Sequence, residues 1–423
     1  MSAQAATLSN DEAVFSPQRW AGLQRMRAFA PSMGSAYARS RNFDFGPDQP
    51  TPDARSNVSV LSPYTRHRLV LEEELARTAL ETHNEQASEK FVQEVIWRTY
   101  WKGWLEHRPD VWTDFLIGLE ADQAAIDRNG GMRRDYERAV AGDTGIACFD
   151  AWAKELVATG YLHNHARMWF ASIWIHTLRL PWTMGAAFFL HYLLDGDAAS
   201  NTLSWRWVAG LHTKGKTYLA RADNIEKFTA RRFRPAPSEF SPAPRFLEDD
   251  AGSEREPLPF FMPPKTEVPT ALLMTSEDCA VEEGLFPPKF GDQLVAMGTF
   301  QASANPDAVG ESEMVAAYRM GALNDAGKRA ETHFGITSTA LASEEALLDW
   351  FAASGAQQLA LSYVPAGETR ARLAPALQKI EANGASIAPV ARDWDKAIWP
   401  HATAGFFKVK KKIPSVLRGL GLV

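Results

Sequence analysis

From Pro17 to about Phe233, apolar residues recur three and four positions apart, β-branched alternation is scarce, and Gly or Pro falls mainly at junctions. That period predicts an all-α half. Its most apolar run, Met168 to Leu194, contains His176, Arg179, Pro181 and His191. It reads as two buried helices broken at Leu180-Pro181, not as a membrane span. Arg55 to Val70 is a Ser- and Asn-rich loop in which Ser62-Pro63 starts a short helix. Between Pro235 and Pro264, eight prolines interleave with acids, the texture of a linker. Beyond it the period changes. Short apolar runs at 271–274, 293–297, 358–363 and 386–390 alternate with helical stretches at 313–334, 343–353 and 368–383. Alternation of this kind predicts a small parallel α/β sheet with helices on its faces. The expected division is a helical domain over 12–234, a linker over 235–265, an α/β domain over 266–400 and a basic tail over 401–423.

With 423 residues, 45% hydrophobic and 23% charged, the chain has material for two such domains. Two cysteines are too few for a disulfide framework or a four-cysteine metal site, which fits a reducing cytoplasm. Met1 to Asp11 lacks the apolar core of a signal peptide. A net charge of −6 argues against a protein coated in bases for nucleic acid. Local runs differ: eight bases stand against two acids from Leu203 to Arg234, and four lysines and one arginine against no acid from His401 onward. A solvated face explains either run alone, but the first adjoins a tryptophan pair and so reads as a rim for phosphates. No Gly-x-Gly-x-x-Gly and no Walker-type Gly-Lys-Ser/Thr marks a nucleotide site in the α/β half.

The chemistry concentrates in three segments. In Asp195-Gly196-Asp197-Ala198-Ala199-Ser200-Asn201-Thr202-Leu203-Ser204-Trp205-Arg206-Trp207, Asp-Gly makes a tight turn and Asp197 or Ser200 caps the helix that follows. Asn201 and Trp205 then share a helix face, while Trp205 and Trp207 point to different ones. Upstream, Tyr161, Asn164, Arg167 and Met168 cluster within Thr159 to Met168, and Glu94, Trp97 and Arg98 fall on one face of one helix. A polar edge and an indole aimed at one place suit a buried aromatic cofactor. Packing alone accounts for most single tryptophans, but ten of the fourteen lie between Trp97 and Trp207. An Arg167–Asp195 pair could equally be a helix–helix tie. His163 and His165, two apart, have the wrong spacing for a helical metal pair.

These three motifs, in this order, resemble the flavin-binding helical domain of the photolyase/cryptochrome family, over about Phe15 to Phe233. The resemblance implies FAD. Arg167 and Asp195 would pair over the flavin ring, Asn201 would face its N5, and Asp197, beside Gly196, would lie near the ribityl and pyrimidine edge. Ser59, Val60, Leu61 and Ser62 resemble the phosphate loop, with Val58 where the family usually has Thr, and Tyr37 resembles the adenine-side tyrosine. Phe91, Arg98, Tyr161 and Asn164 complete the implied cofactor set, and Glu94 would touch both flavin and substrate. Trp205 would pass an electron to excited flavin with Trp182 next, and Tyr136, Trp152 or another exposed aromatic would finish the path. Trp97, Asn164, Met168 and Trp207 would line the substrate pocket. The implied activity is that of a deoxyribodipyrimidine photo-lyase, blue-light repair of cyclobutane pyrimidine dimers in DNA, with Glu94, Asn201, Trp205 and Trp182 as its catalytic residues. The alternative is a cryptochrome-like photoreceptor that signals to a protein partner through the C-terminal module. Neither a metal nor a membrane is expected. Three departures stand out: the helical domain begins near Met1 without the usual antenna-type α/β domain before it, His165 replaces a basic residue, and Val208 to Tyr218 follows a different pattern. The last two weigh against DNA contacts, not against flavin binding.

Overall fold

The structure is a computed structural model that describes residues 15–47, 55–213, 215–248, 254–259, 261–301 and 309–423. The helical half contains α1 (Arg19–Phe29), α2 (Ser35–Ser40), α3 (Ser62–Arg66), α4 (Glu72–Thr82), α5 (Glu85–Glu106) and α6 (Asp110–Arg128). It continues with α7 (Gly130–Ala141), α8 (Ala147–Thr159), α9 (Asn164–Ser172), α10 (Trp182–Tyr192), α11 (Ala198–Ala209) and α12 (Ala222–Phe228). Local chemistry sets the helices that matter most. Asn84 caps α5 by accepting the Ala87 N–H at 2.8 Å, and Asp197 caps α11 by accepting the Ser200 N–H at 2.8 Å. Gly210, at φ 80°, ends α11 in the left-handed conformation that glycine adopts without strain. After α9 the chain makes a π turn, Ile173–Thr177, and the break at Leu180-Pro181 lets α10 start at Trp182. Among the described residues no helix is long and apolar enough to cross a membrane.

The C-terminal half contains β1 (Thr270–Met274), β2 (Leu294–Phe300), α13 (Glu313–Phe334), β3 (Ser338–Leu341), α14 (Glu344–Ser354), β4 (Gln358–Ser362), α15 (Glu368–Ala382) and β5 (Ser386–Val390). The five strands are parallel in the order β3-β2-β1-β4-β5, with Leu272 paired to Met297 on one side and to Ala360 on the other. Strands β1 and β4 are buried at every residue, as parallel strands with both faces covered must be. The expected α/β alternation is therefore present, with one strand more than the apolar runs showed. That strand, β3, is a four-residue edge whose Ser338, Thr339 and Ala340 are not buried.

The segment expected as a basic tail folds differently. After α16 (Asp393–Ile398), residues 401–423 form α17 (Phe406–Lys410) and α18 (Ile413–Gly419). Phe406, Val409, Ile413, Val416 and Leu417 are buried in the core of the helical half, and the Trp394 indole N–H donates to Thr99 Oγ1 at 2.8 Å. The apolar residues recur at helical spacing between the lysines, so the charge run is the outer face of an amphipathic segment. The Pro-rich linker has little regular structure but lies along the helical half, where the Ser241 N–H reaches Thr177 Oγ1 at 3.1 Å and the Glu256 N–H reaches the His107 carbonyl at 2.8 Å.

Buried ion pairs join the halves. Arg66 grips Glu277 in a two-pronged contact of 2.7 and 2.8 Å, and Glu106 accepts from Arg370 at 2.8 Å and from the Tyr363 hydroxyl at 2.6 Å. Arg68 holds Asp395 at 2.7 Å and Glu72 at 3.2 Å, with Asp278 at 3.5 Å. Its φ of 53° is left-handed, a strain of roughly 1–2 kcal/mol that these three carboxylates offset.

Candidate cofactor site

The three sequence motifs meet at the N-terminal end of α11. Arg167 on α9 donates to Asp195 Oδ2 at 2.9 Å, and Arg98 on α5 binds Asp197 and approaches Asp195 Oδ2 at 3.8 Å. Burial works to raise the Asp195 carboxyl, but Arg167 and Arg98 overcome it and hold the group below the ordinary carboxylate range. The Arg167 Nε–H also donates to the Leu162 carbonyl at 2.8 Å. Its guanidinium lies 5.6 Å from the centre of the buried Tyr161 ring, and Arg55 lies 5.5 Å from that ring.

Asn201 is buried and donates to the Ala186 carbonyl at 2.9 Å, which fixes its amide. Val60 and Leu61 are buried while Ser59 and Ser62 on either side are half-buried; Val60 has φ 49°, so the loop turns sharply just before α3. Tyr37 packs edge-on against Phe91 at 5.2 Å. Beside them Glu94 pairs with Arg41 at 2.7 Å, a partner the sequence reading did not single out. Burial raises the Glu94 carboxyl above its ordinary range despite the pull of Arg41.

The fit to FAD rests on what this neighbourhood leaves unsatisfied. Asp195 Oδ1 and Ser200 Oγ are buried without a hydrogen-bond partner. Buried polar atoms are rarely orphaned, so two at this turn and helix start mark a place where a polar ligand completes the structure. Cations on α5 and α9, an amide on α11 and a hydroxyl-bearing loop before α3 are the donor set that an isoalloxazine edge and a diphosphate require.

Other expected residues lie apart from this cluster. Asn164 is exposed at the first position of α9, and Met168 is half-buried. Trp205 packs against Phe189 at 5.1 Å, Trp174 at 6.2 Å and Phe170 at 6.4 Å, and Trp174 in turn meets Tyr136 at 5.9 Å. Trp182, expected next in the relay, packs instead on Phe115 at 5.6 Å and faces the Arg206 guanidinium. Gly185 explains the difference, because a Cβ there would fall 2.3 Å from the Trp205 ring and 2.9 Å from Trp174 Nε1. Trp97 is covered by Phe406, stacked at 3.7 Å and 12°, and Trp207 stacks on Tyr218 at 5.5 Å. Of the bases after Trp205, Arg206 is buried, Arg221 pairs with Asp223, Arg231 with Glu226 and Arg232 with Asp44, while Lys216, Lys227 and Arg234 are exposed. Lys214 lies outside the described residues.

Residues 91–235 match the family model described as the FAD binding domain of DNA photolyase. The deoxyribodipyrimidine photo-lyase of Streptomyces griseus is 34% identical over 200 residues, covering 44% of this chain and 41% of its own. One from Thermus thermophilus is 33% identical over 209 residues, covering 48% and 45%. The chain thus spans less than half the length of these curated relatives. Among solved structures, a bacterial class III photolyase from Agrobacterium tumefaciens aligns with a TM-score of 0.41 at 24% identity over 51% of this chain and 43% of its own. A Synechocystis cryptochrome aligns with a TM-score of 0.42 at 19% identity over 53% and 46%. The matched residues carry the Arg98–Asp197 and Arg167–Asp195 pairs, so residues 91–235 form an FAD-binding domain of the photolyase/cryptochrome type, and the cofactor is FAD.

Proposed function

We propose that the protein repairs cyclobutane pyrimidine dimers in DNA under blue light. The observation that carries this reading is the paired set Arg98–Asp197 and Arg167–Asp195 beside Glu94, inside the segment most similar to photo-lyases. Arg98, Arg167, Asp195, Asp197 and Asn201 would hold FAD, which when reduced would supply the light-driven electron transfer that opens the dimer. The chain's own residues set the conditions. Arg98 and Arg167 bring two cations to the flavin site and favour a negatively charged ring there. Glu94, with its carboxyl raised by burial, carries a proton more readily than an ordinary glutamate and can donate it to a base carbonyl. Trp97 offers a stacking face for an extruded base, and in the closed arrangement Phe406 occupies that face.

The test is recovery of thymine absorbance when the reduced protein is illuminated with dimer-containing oligonucleotides, single-stranded and duplex. Recovery on either substrate is expected; none on both, with flavin intact, overturns the proposal. The Phe406 stack also favours a second reading. A photoreceptor could release α17 and α18 in light and present them to a protein partner, which light-dependent proteolysis within 401–423 would reveal.

A further inference from the structure

A cavity of about 130 Å³ lies between the two halves, bordered by Arg66, Lys102 and Asp197 on one side and by Glu277, Gly367 and Arg372 on the other. The turns after β1 and β4 both border it. These neighbouring strands are where the order β3-β2-β1-β4-β5 changes direction, the crevice in which open parallel sheets bind ligands.

Its charges are unevenly satisfied. Arg66 is held by Glu277, Arg319 by Glu311 and Asp197 by Arg98. Lys102 is different: only 2% exposed, it has no hydrogen-bond partner for Nζ. Burial and the nearby Arg68 guanidinium push its ammonium below the ordinary lysine range, against the pull of Glu277 and Asp197, whose oxygens are taken by Arg66, Arg98 and the Ser200 N–H, so an anion bound here would favour its charged form. Across the cavity, Arg372 Nε is also buried without a partner. The fifteen-residue α15 follows Gly367, which offers no side-chain cap, and Gly367, Glu368 and Thr369 border the same space. A buried ammonium, a guanidinium N–H and the uncapped N-terminal amides of a helix converge from both halves of the chain. The lining carboxylates of this half are Glu277 and Glu311, paired with Arg66 and Arg319, and Glu368 in the first turn of α15.

We propose that this cavity binds a phosphate group, as inorganic phosphate or a small phosphate monoester, with Lys102 and Arg372 as its ligands from opposite halves. Donors approaching from several directions match a tetrahedral oxyanion better than a planar carboxylate. The volume is well below the roughly 300–1,000 Å³ of a site for a drug-sized ligand, so a second flavin-sized ring does not fit. The inference stands apart from dimer repair and needs only the fold.

The test is calorimetric titration of the FAD-loaded full chain with inorganic phosphate and, separately, with glycerol 2-phosphate at constant ionic strength. Saturable binding in the millimolar range or tighter is expected, and Lys102→Met and Arg372→Gln should each weaken it at least about tenfold, with FAD absorbance unchanged. Tighter binding of the ester assigns an organic phosphate, and equal or weaker binding assigns the free ion. Arg372 lies at the rim, so its variant keeps the test open if the Lys102 variant misfolds. Absence of saturable binding below about 10 mM, wild-type affinity in both variants, or loss of FAD along with phosphate binding would overturn the proposal.

Discussion

If Trp97 stacks on a flipped base, Phe406 must leave first, and its removal should tighten binding to damaged DNA. In the closed arrangement the Phe406 ring lies 3.7 Å from Trp97 at 12° and meets Tyr100 edge-on at 5.4 Å. An aromatic pair contributes about 0.5–1.5 kcal/mol beyond its buried area, and a base stacked on the freed indole recovers about 1–3 kcal/mol. Phe406→Ala removes the competitor, so dimer-containing DNA should bind roughly 2- to 13-fold more tightly in the dark. The truncation also costs the fold, because Phe406 is buried and a Phe-to-Ala change in a core destabilises by about 3–5 kcal/mol. Thermal unfolding therefore has to be followed alongside fluorescence anisotropy with damaged and undamaged oligonucleotides. Trp97→Ala should do the opposite and weaken damaged DNA alone. Unchanged or weaker affinity for damaged DNA in a folded Phe406→Ala protein would show that the stack is part of a permanent core and that no base enters there.

Asp195→Ala leaves Arg167 facing a site without its counter-ion, and breaking such a buried pair costs about 3–5 kcal/mol. FAD retention should fall about 10²- to 5 × 10³-fold, and a yellow protein after dialysis would refute the pairing argument. In Trp174→Phe, photoreduction of oxidised FAD should lose most of its long-lived radical yield, since Trp174 joins Trp205 to Tyr136. An effect confined to Trp182→Phe would return the path to Trp182. Acid should unfold the protein early. Burial pushes His67 and His163 down to about 3 and His212 to about 4, so the unfolded chain takes up these protons near pH 6.5 and the folded one does not. Stability is then lost as pH falls from about 6.5, at about 1.4 kcal/mol per pH unit for each histidine. Glu277 and Asp278, held at about 2 by Arg66 and Arg392 despite burial, add further loss only below about pH 4. The circular-dichroism midpoint should lie between about pH 4 and 6, and full native signal at pH 4 would show that the buried histidines do not set the acid limit.

What the sequence showed depended on how local its cause was. Strands β1, β2, β4 and β5 were legible because continuous apolar runs bounded by turns have little else to become, whereas Ser338 to Leu341 pairs only through Met297 to Phe300 and carries no apolar signal of its own. The Asp195, Asp197 and Asn201 group was legible because one turn and one helix fix its geometry. Arg41 beside Glu94 and Phe406 over Trp97 were not, since each contact joins segments that only the tertiary fold brings together. Trp174 was hidden by its company: among ten tryptophans in one region, only the space left by Gly185 selects which ring Trp205 meets.

The face of α5 that carries Glu94 shows how far a local period reaches once its partners are known. Glu94, Arg98, Lys102 and Glu106 follow at intervals of four, over about 18 Å of helix. Their partners change in step: Arg41 for Glu94, Asp197 for Arg98, the cavity between the halves for Lys102, and Arg370 with Tyr363 for Glu106. One helix face thus runs from the flavin site to the α/β half, with each charge answered by a different element. Only Lys102, third in the row, has no partner within hydrogen-bond reach. On an amphipathic surface helix the same spacing would be a solvated charge ladder, worth about 0.2–0.5 kcal/mol per pair. Here Lys102 and Glu106 are buried, and an unanswered charge is far more costly there than at the surface. The gap at Lys102 is therefore the position in the row at which a ligand would have the most effect on how firmly the halves are held together.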